Sequence, residues 1–119
     1  MALYLIAAQD REDSPFNLLA DPAPVWEDLT ALDEAMRAAG VFVFSRGLQG
    51  PDATVTFRAQ PSGEVVRSAG PCTPGALAGM WIIDCATQEM AEQWALRCAA
   101  AHRCDVELRP FQPHVSTYL

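Results

Sequence analysis

Ala78-Gly79-Met80-Trp81-Ile82-Ile83-Asp84-Cys85-Ala86, then Thr87-Gln88-Glu89-Met90-Ala91-Glu92-Gln93-Trp94-Ala95-Leu96-Arg97-Cys98, then Cys104-Asp105-Val106-Glu107-Leu108-Arg109-Pro110-Phe111 is the run that decides this fold. It reads as strand, helix, strand. Met80 to Ile83 is apolar on both faces, the pattern of a central, covered strand. Thr87 is placed to cap the helix, and Glu89 sets negative charge against the positive end of the helix dipole. Met90, Ala91, Trp94, Ala95 and Cys98 fall on one stripe, while Gln88, Glu92, Gln93 and Arg97 cover the other side. The last strand alternates, with Val106, Leu108 and Pro110 opposite Glu107 and Arg109. Proline has no N–H for a ladder, so this strand ends at Pro110 or lies at an edge.

Working outward, Leu3 to Ala8 is a short apolar run that reads as a central first strand. Gln9 to Pro24 is a polar connection, or a partly helical excursion, broken by Pro15, Pro22 and Pro24. Val25, Leu29, Leu32, Met36 and Ala39 mark a helix, and Gly40 supplies its left-handed stop. Val41 to Phe44 is a second strand, followed by a two-glycine loop from Ser45 to Pro51. Ala53 to Ala59 alternates, setting Val55 and Phe57 against Thr54, Thr56 and Arg58, the pattern of a half-buried strand. Pro61-Ser62-Gly63 turns it back into Glu64 to Arg67, making a hairpin. Ala69 to Gly75 is a structured loop and Gln112 to Leu119 a tail.

The order predicts an α+β chain: a ferredoxin-like β-α-β-β-α-β sandwich with an inserted hairpin, one domain over residues 1–119. Two helices cover one face of the sheet. The other face carries the second apolar side of Leu3–Ala8 and Met80–Ile83, so a homodimer is expected to cover it.

Composition excludes some functions. The chain has 119 residues and a formal charge of −7, and all eight of its cations are arginine. Asp10, Glu12, Asp13, Asp21, Glu27, Asp28, Asp33 and Glu34 crowd one stretch against Arg11 alone. An acidic chain without a basic face is a poor match for nucleic acid. The opening residues lack a basic leader, and no apolar run approaches the roughly 18 residues of a membrane span, so a cytoplasmic location is expected. Cys72, Cys85, Cys98 and Cys104 form no close ligand pair, and His102 and His114 complete none. Reduced thiols are expected, with no metal and no organic cofactor.

Several stretches together resemble the YCII-related domain family, including its DGPF branch. They are Leu3 to Asp10, Arg37 to Val41, Ser45 to Leu48, Leu77 to Asp84, Glu92 to Ala95 and Val106 to Phe111. The resemblance implies a ferredoxin-like dimer of the dimeric α+β barrel type. For many members it also implies an active site built on a first-helix histidine and a loop aspartate. Here the naming tetrapeptide reads Ala69-Gly70-Pro71-Cys72, and the histidine position falls near Leu29. With both groups replaced, the family's acid–base chemistry does not carry over.

Other residues then come forward. Arg46, in its glycine-flanked loop, could clamp a carboxylate or phenolate, or serve as an exposed or intersubunit arginine. Trp81, with Trp26, could wall a pocket for a flat ligand or pack in the core. Cys72 is a nucleophile candidate without a neighbouring histidine, and its other reading is packing. Asp84 stands either as a general base or as a turn or capping group. His114 could reach into a partner's cleft, and His102 reads as a solvated loop residue.

Whether the chain is an enzyme stays open. The first reading is a small-molecule-binding protein, or a cofactor-free lyase or isomerase acting on a small cyclic metabolite. Its cleft would lie under Ser45–Pro51 and Ala69–Gly75. The second is a catalytically silent dimeric accessory module. The third is a cofactor-free monooxygenase or cyclase. A deep polar cavity in the dimer favours an enzyme, and a cleft filled by Trp and Met favours the module.

Overall fold

A computed structural model describes residues 2–10, 16, 21–72 and 76–113. Four strands, β1 (Ala2–Asp10), β2 (Phe42–Gly47), β5 (Ala76–Cys85) and β6 (Asp105–Pro110), make one antiparallel sheet in the order β2-β5-β1-β6. Two further strands, β3 (Val55–Ala59) and β4 (Val65–Ala69), make a separate two-stranded sheet. The helices are α1 (Ala23–Ala38) and α2 (Gln88–His102). With the hairpin set aside, this is the ferredoxin-like α+β arrangement that the order of elements predicts.

The sheet is central where its sequence is most apolar. β5 pairs with β1 on one side and β2 on the other, and β1 in turn pairs with β6. Alternate residues of the central strands turn toward the helices. Tyr4, Ile6 and Ala8 meet Trp81, Ile83 and Cys85, and Leu32, Met36, Ala91, Ala95 and Cys98 close over them. Leu3, Leu5, Met80 and Ile82 occupy the intervening positions, and Leu3 is 44% exposed. Pro110 does end an edge strand.

The helix ends follow local chemistry. The Thr87 hydroxyl accepts from the Met90 N–H at 3.2 Å, as its position predicts. Pro22 offers α1 no side-chain cap; Asp21 Oδ1 instead accepts from the Ala23 N–H at 3.2 Å. Gly40 takes φ +73°, the left-handed stop after α1.

Four expectations need correction. β5 runs ten residues rather than the four of Met80–Ile83, because Gly79 lets β2 approach and extends the ladder. β2 likewise continues to Gly47, so Arg46 lies in a strand, paired with Met80, and not in a loop. A Cβ on Gly79 would stand 3.0 Å from the Arg46 carbonyl oxygen and 3.1 Å from the Gly47 Cα. That close approach is why the stretch could not be told from a loop by side-chain pattern.

The third correction concerns the hairpin, which forms where predicted but buries little. Phe57 is 64% exposed, and Val55, Val65 and Val66 are exposed as well. Its alternation does not turn an apolar side toward this chain's core. The fourth is Met90, which shares the α2 stripe but is exposed, while Ala91, Ala95 and Cys98 are buried. The chain measures 49 × 41 × 18 Å with a radius of gyration of 16.5 Å. A compact chain of this length has a radius near 13–14 Å, so the molecule is a thin, spread slab. No helix among the described residues is long and apolar enough to cross a membrane.

Candidate functional site

Two cavities flank β5. The first, about 240 Å³, lies between α1, the end of β2 and the middle of β5. Trp26, Leu29, Thr30 and Asp33 border it from α1, Ser45, Arg46 and Gly47 from β2, and Gly79, Met80 and Trp81 from β5, while Ala8 and His102 complete it. The α1 positions lie three or four residues apart and therefore share a helix face. Ser45 pairs with Trp81 and so stands on the helix-covered side, whereas Arg46 pairs with Met80 on the open side. Arg46 therefore borders the cleft from its edge, where β2 turns its side chain toward the open face.

The indoles differ in their hold. Trp81 is buried in the core, and Trp26 is 71% exposed at the rim. Thr30 spends its hydroxyl on the Trp26 carbonyl oxygen at 2.8 Å, which leaves the hydroxyl's lone pairs as acceptors. The cleft thus offers a fixed aromatic wall, a movable one, an acidic group and a cation. That is the lining of a small-ligand site: mostly apolar, with a few convergent polar groups.

His102, expected as a solvated loop residue, is instead the last residue of α2. It is half-buried and edge-on to Trp81, with ring centroids 6.0 Å apart and planes at 89°. Its Nδ1 lies 2.9 Å from Cys104 Sγ. No glycine marks the end of α2, so nothing in the sequence shows the chain turning back and carrying His102 inward. Its place four residues after Cys98, on the same helix stripe, is the available signal.

The other candidates are scattered. Cys72 is exposed and borders the second cavity, about 620 Å³, with Pro71, Leu48–Pro51, Ala53–Thr56 and Leu77. This is the space under the two glycine- and proline-bearing loops, and it holds neither Arg46 nor Trp81. Asp84 lies inside β5, opposite Leu3, and its N–H donates to the Val41 carbonyl at 2.8 Å; it caps no helix. Its Oδ1 is buried without a hydrogen-bond partner. Such a group costs about 1–3 kcal/mol unless something satisfies it. His114 lies outside the described residues.

Two thiols are held protonated. Burial, then the charge of Asp84, pushes Cys85 up. Burial, then charge at Cys104, pushes Cys98 up to about 12, with Asp33 adding and Arg97 opposing. Among the described residues no group of three His, Cys, Asp or Glu side chains is placed to hold a metal ion.

Leu29, where the family resemblance puts the helix histidine, borders the cleft, and Ala69, where it puts the loop aspartate, ends β4 opposite Val55. No curated protein matches the chain. The family model of the YCII-related domain, by contrast, matches residues 2–112, almost the full length. Sheet order, strand-helix-strand ending and this match agree: the chain belongs to the YCII-related domain family.

Proposed function

We propose that this chain is a single-domain, homodimeric small-molecule-binding protein that takes a flat, anionic metabolite into the cleft between Trp26 and Trp81. The observation that carries the reading is that this cleft is open. Its Trp and Met side chains wall it without filling it, and Arg46, Ser45, Thr30 and Asp33 reach it from two elements. An unfilled cleft with a few convergent polar groups favours a ligand site over a silent module. At about 240 Å³ it falls just under the roughly 300 Å³ of drug-sized pockets, a size suited to one small ring.

In this reading Arg46 meets the ligand's carboxylate or phenolate at the lip, and the indoles stack on its ring. Turnover, where it occurs, is proton transfer, elimination or isomerisation carried by side chains in a cytoplasmic protein. A monooxygenase or cyclase reading has no residue of its own here.

The homodimer reading rests on the open sheet face. Leu3, Leu5, Met80, Ile82 and Phe44 lie there with Arg46, Asp84, Glu107 and Arg109. Both charge signs on one face allow a two-fold contact to pair them. Sedimentation as a monomer at micromolar concentration would overturn this part.

The ligand reading is tested by thermal shift with a panel of small cyclic and aromatic acids, on the parent and Arg46→Ala. At least one acid should raise the parent's midpoint and leave the variant's unmoved. A panel that moves neither protein, or both equally, contradicts it.

A further inference from the structure

The turn that ends α2 is held in a costly conformation. Arg103 takes φ 56° and ψ 47°, a left-handed backbone that strains a non-glycine residue by roughly 1–2 kcal/mol. Three contacts hold it there. Its N–H donates to the Ala99 carbonyl at 2.9 Å, and its guanidinium donates to the Ala101 carbonyl and to Asp28 Oδ2, each at 3.0 Å. Strain maintained in this way concentrates at functional positions. Its consequence is local: the reversal at Arg103 brings His102 and Cys104 side by side, Nδ1 to Sγ at 2.9 Å. A thiol within hydrogen-bond reach of an imidazole, itself oriented by a third group, is the geometry of an activated nucleophile. Trp81 supplies that orientation by its edge-on contact with His102.

We propose that Cys104 is a nucleophilic thiol activated by His102 and that it adds to small soft electrophiles, conjugated enones above all. The step balances without a co-reactant. The thiol proton passes to Nδ1, sulfur bonds to the β-carbon, the alkene pair moves into an enolate, and the imidazolium returns the proton to the α-carbon. Reversal after bond rotation isomerises the double bond.

The surrounding charges allow the ion pair. Asp33 on α1 borders the same cleft as His102, and the negative end of the α2 dipole favours the imidazolium. Arg103 is engaged with Asp28, and Asp105 follows directly in β6. Cys98, held up to about 12, stays a thiol beside Cys104.

Iodoacetamide alkylation tests the pair without any ligand. Cys72→Ser removes the exposed competing thiol, and peptide mass spectrometry reads Cys104 alone. Comparing pH 6 with pH 9 at that one sulfur cancels its accessibility. An ordinary thiol near 8.5 accelerates roughly 200-fold over this range; an activated one accelerates less than about 10-fold. The account expects the small ratio in the parent and the large one in His102→Gln, with His102→Asn as the substitute should the glutamine variant lose its circular dichroism. A large ratio in the parent, or a Cys104 that is not alkylated at either pH, overturns the proposal. Either result leaves the cleft reading standing, just as a failed Arg46→Ala comparison leaves the pair standing.

Discussion

The cleft beside Trp81 and the cavity under the hairpin border the same strand, with walls only two residues apart along β5 at Leu77 and Gly79. They differ in what holds them. Helix α1, β2, β5 and the end of α2 fix the cleft, and each is anchored in the buried core. Loops and a hairpin with an exposed surface fix the cavity, which is the larger of the two. Side chains on rigid, packed elements hold a geometry that loop residues do not. Size therefore points to one site and chemistry to the other, and the chemistry is the better guide.

The difference can be broken or sharpened by substitution. The largest effect is expected at Ile83, fully buried in the core that anchors the cleft's elements. Ile83→Ala should cost roughly 3–4 kcal/mol in urea unfolding, through lost transfer energy and a residual cavity. A cost below about 1 kcal/mol would mean that the core anchoring the cleft is not rigid.

A pH titration comes next. Cys98 is protonated in both folded and unfolded states below its ordinary 9.0, so its contribution is fully present there. Above 9.0 the unfolded thiol ionises while the folded one holds its proton to about 12, so stability falls through that window. The slope contributed is at most about 1.4 kcal/mol per pH unit, and Cys98→Ala should flatten it. An equal slope in the variant would assign the loss to other groups.

Gly79→Ala ranks third. The added methyl meets backbone atoms of Arg46 and Gly47, which cannot swing aside as a side chain would. About 1–3 kcal/mol of destabilisation is expected, together with weaker ligand binding as Arg46 shifts. Unchanged binding would remove Arg46 from the site.

The smallest effect belongs to the hairpin. Phe57→Ala should change the stability of the dilute chain by no more than about 0.5 kcal/mol, since Phe57 is mostly exposed. A loss comparable to that at Ile83 would erase the contrast between the two regions.

The fold was legible because its central elements carry their own instructions. Met80 to Ile83 is too apolar for any position but the middle of a sheet, and Thr87 and Gly40 mark helix ends by known chemistry. The candidate site was legible only in part. Arg46 and Trp81 do border one cleft, but Arg46 was read into a loop, because the facing glycines that extend β2 and β5 look like turn residues. Cys72 and Asp84 were chosen for their residue types, and the fold sends them to another cavity and to the open sheet face. His102 reads as a solvated loop residue because the turn that carries it inward is made by an arginine in a conformation normally left to glycine.

The central claim, that the Trp26–Trp81 cleft is the ligand site, is most directly tested by the indole N–H resonances of the three tryptophans. Trp94 does not border the cleft and serves as an internal control. On titration with benzoate or phthalate, the Trp26 and Trp81 signals should move together and saturate, with Trp94 and the amides of residues 55–59 and 65–69 unmoved. Shifts confined to residues 48–56, or no saturable shift at either cleft indole, would contradict the account.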